Sequence, residues 1–290
     1  MSGRVRIGIS GWRYAGWRGV FYPEKLVQKR ELAFAAERFD SIEINGSFYS
    51  LQTAQTWQRW RDETEADFVF AVKGPRYITH VRRLRDIDAP LANFFASGVL
   101  LLGPKLGPLL WQFPANLTFD EGVWRAFLRR LPRTLAAAGT LARRHDQRIR
   151  APAVPDELPR RRLRHAVEVR SETFRDEAFI SLLRRHRVAL VVADTAGRFP
   201  LFEDVTADFL YLRLHGAEEL YASGYDDPAL RRWARRIAAW SRGGEPPGAE
   251  HASRTRAPPR RAGRAVYCYF DNDAKVHAPF DAQRLRALLR

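Results

Sequence analysis

The chain has 290 residues, and its hydrophobic content of 46% together with eight tryptophans excludes a disordered protein and allows a large buried core. Its formal net charge of +16 is compatible with binding to polyanions such as nucleic acid. Because the positive charge is carried almost wholly by arginine beside abundant alanine, a compositional bias of GC-rich coding is the favoured explanation of it.

Eight short segments rich in β-branched and apolar residues recur along the chain, and helical or polar stretches separate them. Near-continuous apolar runs of this kind are typical of parallel strands that are covered on both faces. The predicted strands lie at 5–9, 41–44, 68–72, 108–112, 166–169, 188–193, 209–214 and 265–270. Amphipathic patterns predict helices over 26–39, 89–101, 122–131, 176–186, 228–240 and 283–289.

Alternating strands and helices indicate a parallel α/β sheet, and eight such units predict a closed (β/α)8 TIM-barrel-like domain over residues 1–290. One unit is weak, because residues 195–208 between the sixth and seventh strands show no convincing helix. An open doubly wound sheet is the alternative. Two loops rich in arginine and proline, about 143–164 and 243–264, are predicted to be mobile surface segments.

The chain carries no signal of export or membrane insertion. Its first four residues run directly into a short apolar strand, and the most apolar run, around 99–102, is far too short to span a bilayer. We therefore expect a cytoplasmic protein without a membrane partner. The single cysteine, Cys268, excludes an internal disulfide, and its alternation with Val266 and Phe270 predicts a small buried hydrophobe.

Polar residues stand where the predicted strands end. In a parallel barrel these ends meet at one mouth, which is where barrel proteins carry their activity. The residues are Ser10, Glu43, Asn45, Lys73, Gln112, Glu168, Arg170, Asp194, Arg213, His215, Asp271 and Asp273. Because strand side chains alternate, pairs such as Glu43 and Asn45 share the face that points into the barrel. Charges there must pair with one another, with a metal or with a ligand.

Motifs around these residues cover the chain nearly end to end. They are GISGWRY (8–14), WRGVFYP (17–23), IEINGSFY (42–49), FAVK (70–73), ITH (78–80), KLGPLLWQFP (105–114), EVR (168–170), YLRLHG (211–216) and YCYFDND (267–273). With this set the chain resembles the domain of unknown function 72 family, the YecE-like proteins. The resemblance implies a TIM-barrel-like fold and the location of the site, but no reaction.

The chain departs from the usual pattern of that family at two places. Ser171 and Phe174 stand where the family usually has His and Trp after the fifth strand. Asp271 replaces an Asn at the end of the eighth strand. Any role that depends on that His is therefore in question for this chain.

The first functional hypothesis is an enzyme, a hydrolase or isomerase, acting on a small phosphorylated or carbohydrate-like anion by acid/base chemistry. Lys73, Arg76, Arg170 and Arg213 would bind the anion, since guanidinium groups bind phosphate through two hydrogen bonds. Proton transfer is assigned to Glu43 or Glu168, with His80 or His215 as the partner. Further substrate contacts are predicted from Trp12, Asn45, Tyr49, Gln112, Asp194, Asn272 and Asp273. Alternatively, Glu43, Glu168, Arg170 and Arg213 form interlocking ion pairs that only fill the barrel top.

Three other hypotheses stay open. A metal-dependent hydrolase, isomerase or nuclease-like phosphodiesterase would use a divalent ion on Glu43, Glu168, Asp194, His215 and Asp271. A glycosidase would use Glu43 and Glu168 as its two carboxylates, with Trp12, Tyr14, Trp17 and Tyr49 against the sugar. A nucleic-acid-binding barrel would stack bases on the aromatic residues of its rim.

Several known signatures do not occur in the sequence. It contains neither the GxGxxG dinucleotide fingerprint nor the GxxxxGK[ST] phosphate loop, and no GxSxG elbow for acyl transfer. The cofactor therefore remains open, with a divalent metal as one choice. The oligomeric state is also left open.

Overall fold

A computed structural model describes residues 2–289 and contains a closed barrel of eight parallel strands. The strands are β1 (Val5–Ser10), β2 (Ser41–Ile44), β3 (Val69–Lys73), β4 (Leu106–Gln112), β5 (His165–Glu168), β6 (Ala189–Asp194), β7 (Phe209–Leu214) and β8 (Ala265–Phe270). Each strand pairs with the next along the chain, and β8 closes the ring by pairing Val266 with Val5 of β1. The predicted TIM-barrel-like fold is confirmed, and the alternative of an open sheet is wrong.

Helices alternate with the strands along most of the chain. They are α1 (Glu31–Ala36), α2 (Gly46–Tyr49), α3 (Ala54–Asp62), α4 (Asp88–Ala96), α5 (Glu121–Arg130), α6 (Leu135–Ala142), α7 (Glu177–His186), α8 (Asp227–Ser241) and α9 (His277–Leu288). Helix α1 is much shorter than the predicted 26–39, because its first part is a separate 3₁₀ turn, Gln28–Arg30. Residues 195–208 contain no helix, which confirms the weak unit before β7.

Three of the helices that follow strands begin at an aspartate. The side chains of Asp120, Asp176 and Asp226 accept hydrogen bonds from backbone amides in the first turns of α5, α7 and α8. Such a cap stabilises a helix by about 1 kcal/mol relative to alanine. Each cap also fixes where the preceding loop ends. The loops that form the rim of the barrel mouth are therefore anchored at the point where each of them enters its helix.

The main hydrophobic core lies between the outer face of the barrel and the helices. Alternate residues of each strand point into it, and in β8 these are Val266, Cys268 and Phe270, all fully buried. Burial raises the pKa of the Cys268 thiol, so the group stays protonated. The prediction that Cys268 is a buried hydrophobe is confirmed.

The other strand residues fill the barrel itself in two layers. The lower layer is apolar and aromatic, and it includes Leu110, Val191 and Tyr269, whose hydroxyl lies 2.6 Å from the Oγ of Ser41. Close approach of β1 to β2 requires a glycine at position 8, since a Cβ there would stand 1.9 Å from the carbonyl oxygen of Ser41. The upper layer, at the carboxyl ends of the strands, is charged.

The two loops rich in arginine and proline contain neither helix nor strand. Residues of the loop at 243–264 are bonded to the segment between β6 and β7: Glu203 accepts from the amide of Glu250 at 2.7 Å, and Asp204 accepts from the amide of Ala252 at 2.7 Å. Ser253, at 3.1 Å from Asp204, completes this attachment. Across residues 2–289, no helix combines the length and the apolar character needed to cross a bilayer.

Candidate active site

Arg213 occupies the centre of the charged layer and is fully buried. Its Nη2 donates to Glu43 Oε1 at 2.9 Å and to Asp271 Oδ2 at 2.7 Å, while its Nη1 donates to Glu168 Oε2 at 2.8 Å. One guanidinium thus neutralises part of the charge of three carboxylates that arrive from β2, β5 and the end of β8. Buried charges are tolerated only when they are paired and hydrogen-bonded in this way.

Glu43 and Glu168 are bonded within the protein and do not line the pocket. Each is fully buried, and Glu43 also accepts from Ser10 Oγ at 2.5 Å and from the hydroxyl of Tyr211 at 2.6 Å. Burial acts to raise the pKa of Glu168, but the guanidiniums of Arg170 and Arg213 outweigh it and hold that pKa well below its usual range. A carboxylate so stabilised is a weak base. These contacts support the ion-pair interpretation of the two glutamates.

His215 lies beside this network and is also fully buried. Its Nδ1 stands 3.1 Å from Asp271 Oδ2, and its Nε2 stands 3.4 Å from Arg213 Nη1. Burial acts to raise the pKa of Asp271, but Arg213 and the contact with His215 outweigh it and lower that pKa strongly. His215 therefore lies next to the Asp271 carboxylate and has no exposed surface in the pocket above.

A pocket of about 830 Å³ opens above the charged layer at the carboxyl ends of the strands. This volume is in the range of small-molecule sites. Its basic residues are Arg13, Lys73, Arg76, His80 and Arg170. Its aromatic residues are Trp12, Tyr14, Phe48, Tyr49, Trp60 and Tyr221, and Asn45, Gln112, Asp271 and Asp273 add amide and carboxyl groups.

The basic residues differ in whether their side chains already bond to other residues of the protein. Arg170 lies 2.7 Å from Glu168 and donates to the hydroxyl of Tyr221 at 3.2 Å. Arg13, Lys73 and Arg76, by contrast, make no side-chain hydrogen bond or ion pair with any residue in the described range 2–289. Cations without a carboxylate partner at a concave mouth attract an anion.

Lys73 is the most buried of these free cations, with only 8% of its surface exposed. Its Nζ stands 4.2 Å from the centre of the Phe48 ring, in a cation–π contact. The His80 ring lies nearly perpendicular to the same phenyl group, with 5.1 Å between the ring centres. The ammonium group is therefore enclosed by apolar surface on one side and opens to the pocket on the other.

Three groups that face the pocket have pKa values shifted by their surroundings. Burial and the nearby charge of Arg213 lower the pKa of Lys73 to about 8. Burial, together with the charge of Asp271, raises the pKa of Asp273 to about 6. Burial and the nearby Lys73 lower the pKa of His80 to about 4. Lys73 and Asp273 therefore both titrate near neutral pH, as acid/base groups do.

Comparison with known proteins places this chain in a family. A family model described as "Protein of unknown function DUF72" matches residues 6–290. The chain belongs to the DUF72 family. This confirms the resemblance found in the sequence motifs.

Curated relatives of this DUF72 chain include two UPF0759 proteins. YunF of Bacillus subtilis is 32% identical over 115 residues, which cover 38% of the chain and 40% of YunF. YecE of Escherichia coli is 30% identical over 132 residues, which cover 44% of each protein. The chain thus spans less than half the length of the curated relatives it matches.

Two solved structures of DUF72 family proteins share the fold along nearly their whole length. The Thermotoga maritima protein has a TM-score of 0.72 and 23% identity, and the match covers 99% of both chains. The Enterococcus faecalis protein has a TM-score of 0.69 and 15% identity, and the match covers 98% of this chain and 95% of that one. At these identities the likeness establishes the fold.

The structure brings most of the predicted site residues of this DUF72 chain to the barrel mouth. Those that line the pocket are Trp12, Asn45, Tyr49, Lys73, Arg76, His80, Gln112, Arg170 and Asp273. Those that lie in the charged layer below it are Glu43, Glu168, Arg213 and His215. Tyr49 is largely exposed on the rim, and Arg76 is exposed as well.

The placement predicted for Asp194 and Asn272 is corrected by the structure. Ala193 points into the barrel, so the next residue, Asp194, points outward, where it accepts from Tyr225 at 3.0 Å and from Trp233 at 3.2 Å. Asn272 likewise faces away from the pocket and donates to Asp281 at 2.9 Å. Both residues obey the alternation of strand side chains, which the prediction did not apply to them.

The residues proposed for a metal do not fit one. The guanidinium of Arg213 stands among the carboxylates of Glu43, Glu168 and Asp271, at the point where an ion would have to bind. Asp194 lies outside the barrel. In the described part of the chain, no group of three or more His, Cys, Asp or Glu side chains has the geometry to hold a metal ion. A glycosidase pair of Glu43 and Glu168 also fails to fit, since both carboxylates lie beneath the pocket floor.

The two departures from the family pattern fall at different distances from the pocket. Ser171 begins a 3₁₀ turn, where its Oγ accepts from the amide of Thr173, and it does not line the pocket. Phe174 packs in the core, 5.2 Å from Trp124 between ring centres. Asp271, by contrast, contributes a carboxylate directly to Arg213. The charge balance of the layer therefore depends on this substitution.

Several pocket residues were absent from the predicted set, namely Arg13, Phe48, Trp60 and Tyr221. Arg13 and Phe48 follow β1 and β2 closely, so their position after strand ends was a usable signal. Tyr221 comes from the loop after β7, where its backbone has a positive φ of 65°. Trp60 comes from α3, a helix that the sequence pattern did not reveal, so its contact with the pocket depends on the tertiary packing.

Proposed function

We propose that this DUF72 family protein is an enzyme that binds a small anionic substrate, phosphorylated or carbohydrate-like, and moves protons in it at the mouth of the barrel. The observation that carries the proposal is the group of free cations. Arg13, Lys73 and Arg76 line one concave pocket and have no partner within residues 2–289. Guanidinium and ammonium groups of this kind bind phosphate or carboxylate oxygens.

The aromatic residues of the pocket indicate the rest of the substrate. Trp12 and Trp60 contact each other edge to face, with 5.2 Å between ring centres, and both line the wall. Tyr49 stands exposed on the rim. The exposed ring of Tyr49 is suited to stack on a flat or sugar-like body beside the anionic group.

Acid/base work is assigned to Lys73 and Asp273 rather than to the two glutamates. Both face the pocket, and their pKa values of about 8 and about 6 lie on either side of neutral pH. Glu43 and Glu168 are enclosed by hydrogen bonds. The hypothesis of acid/base chemistry is thus retained, with different residues in the roles.

A thermal-shift survey with inorganic phosphate, sugar phosphates and small carboxylates tests the proposal. A ligand at 100 times its Kd stabilises the native state by about 2.7 kcal/mol, which raises the Tm by several degrees. We expect Arg76→Ala to abolish the shift. The matched control is Arg129→Ala on the exposed end of α5, which removes the same charge outside the pocket. A shift that survives Arg76→Ala unchanged contradicts the proposal.

A second candidate, a nucleic-acid-binding protein, is supported by a groove at the opposite end of the barrel. Its arginines are Arg162, Arg184, Arg187, Arg256, Arg260 and Arg264. Most of these are engaged by the protein itself; for example, Arg162 and Arg260 both pair with Asp208. The mouth, with its free cations, is therefore favoured. A shift obtained only with oligonucleotides, erased by salt and by Arg187→Ala, would favour the groove.

A further inference from the structure

Lys73 and Lys105 are both buried, but they differ in the hydrogen bonds that their amines make. Lys105 donates to the carbonyl oxygen of Arg61 at 2.5 Å, to that of Thr64 at 2.6 Å and to Thr64 Oγ1 at 3.1 Å. Its three hydrogens are therefore matched by three acceptors, as expected of a structural lysine. Lys73 is equally buried but donates to no residue in the range 2–289. Its amine is kept free inside the barrel.

The surroundings of Lys73 favour a reactive amine. The Phe48 ring covers one side of Nζ at 4.2 Å, and the pocket lies on the other. The layer beneath holds two guanidiniums, Arg170 and Arg213, against the three carboxylates of Glu43, Glu168 and Asp271. Burial and the charge of Arg213 outweigh these carboxylates and lower the pKa of Lys73, so the site favours the neutral, nucleophilic form of the amine.

We propose that Lys73 is a covalent nucleophile that forms an imine with the carbonyl carbon of a small anionic aldehyde or ketone. This inference rests on the proposed function, because it takes the same pocket and the same anion-binding residues. Two other acid/base groups belong to the same pocket: the His80 ring packs against Phe48, and Asp273 is part of the pocket lining.

The chemistry balances without any oxidant or reductant. The lone pair of the neutral amine forms a C–N bond to the carbonyl carbon, and the electron pair of the C=O bond moves to oxygen, which takes a proton from an acid of the pocket. The nitrogen of the resulting carbinolamine returns one proton to the conjugate base of that acid, and the carbinolamine then loses its hydroxyl group and the second N–H proton as water, which leaves the neutral imine. Once protonated, the imine withdraws an electron pair from an adjacent C–H or C–C bond.

A fraction of Lys73 is ready to react at neutral pH. Since burial lowers its pKa to about 8, roughly a tenth of the amine is neutral at pH 7, against about one part in a thousand for an exposed lysine. The rate of imine formation should therefore rise with pH and level off above pH 8. Exposed lysines should continue to gain reactivity up to pH 10.

Trapping with borohydride tests the proposal on the wild-type protein. The probe is pyridoxal 5′-phosphate, an aldehyde that carries a phosphate, added below the protein concentration and reduced in place. The chain has five lysines, Lys25, Lys29, Lys73, Lys105 and Lys275, so peptide mass mapping assigns the adduct without ambiguity. We expect the adduct at Lys73 at least tenfold above that at exposed Lys29, and protection of Lys73 by inorganic phosphate.

Variants provide the matched controls. Lys73→Arg keeps the positive charge and should abolish the selective adduct, whereas Lys29→Arg should leave it unchanged. Because mapping of the wild type identifies the site by itself, the test does not depend on whether Lys73→Arg folds. A second probe, dihydroxyacetone phosphate, extends the test to a ketone of smaller size.

The outcomes separate this inference from the proposed function. If phosphate gives a thermal shift that Arg76→Ala removes, but neither probe labels Lys73 above Lys29, the imine is overturned and the anion pocket stands. If neither the thermal shift nor the labelling occurs, both proposals fail. Labelling of Lys73 that persists equally in urea would show ordinary lysine reactivity, and it would also overturn the imine.

Discussion

Replacing Arg213 with methionine removes the cation on which the charged layer depends. The substitution leaves Glu43, Glu168 and Asp271 buried, with Arg170 and Lys73 as the remaining cations nearby. Breaking a buried ion pair by removing one partner costs about 3–5 kcal/mol, because the other charge stays uncompensated. With roughly 2–4 °C per kcal/mol for a chain of this size, the Tm should fall by about 6–20 °C at pH 8.

The loss should depend on pH, and its sign follows from the pKa shifts. In the wild type the pKa values of Glu168 and Asp271 are lowered, so their contribution is present above the unfolded pKa near 4 and is lost as the pH falls below it. Without Arg213, Asp271 loses the cation that most lowers its pKa, so burial raises that pKa and the variant takes up a proton that stabilises it as the pH falls from 8 to 5.5, whereas Glu168 keeps its bond to Arg170. One carboxyl that binds a proton over one pH unit contributes about 1.4 kcal/mol.

Urea unfolding followed by tryptophan fluorescence at pH 8 and pH 5.5 measures both effects. The difference between Arg213→Met and the wild type should shrink by about 1 kcal/mol or more at the lower pH. Arg129→Met, on the exposed end of α5, is the control and should stay within about 0.5 kcal/mol at both pH values. Asp271→Asn, a milder change of the same layer, gives a second measurement. A loss under about 1 kcal/mol for Arg213→Met, or a loss equal at both pH values, would refute the reasoning.

Three further predictions concern residues around the site. Asp194→Ala should lower the free energy of unfolding by about 1–3 kcal/mol, because two buried donors lose their acceptor. Calorimetric titration should show unchanged ligand affinity. Weakened binding would place Asp194 in the site. Asp273 has a pKa raised to about 6, so its stabilising effect is present below pH 4 and is lost as the pH rises through 6. Asp273→Asn should therefore flatten the Tm between pH 4 and 7, and an unchanged profile would contradict this pKa. Gly8→Ala should cost about 3 kcal/mol or more in denaturant unfolding, because its Cβ meets the backbone of Ser41; a loss within 0.5 kcal/mol would show that the strands can separate.

Most of the barrel could be predicted from local patterns. The strand β2 and the last two strands have the predicted bounds, and the others differ by one or two residues. Helices were less well predicted where short turns replace them. The π-helical turn Tyr77–Val81 and the helix α3 bring His80 and Trp60 to the pocket, and neither element has a clear amphipathic pattern in the sequence.

The sequence by itself determined which end of the barrel is polar and which residues face inward. These properties depend on the alternation of side chains along a strand, and that alternation is local. It also determined the family, through motifs spread over the whole chain. Asp194 and Asn272 were misplaced although the same alternation, applied to them, predicts that they point outward.

The tertiary structure alone decided which polar groups bond to one another and which remain available to a ligand. Glu43 and Arg213 are 170 positions apart, and their bonds exist because β8 closes on β1 and brings every strand end to one ring. Closure brings both glutamates into the network around Arg213 and leaves the amine of Lys73 without a hydrogen bond to any residue of the range 2–289. No local pattern separates these charged residues, because the energy of a buried charge depends on neighbours that only the closed barrel supplies.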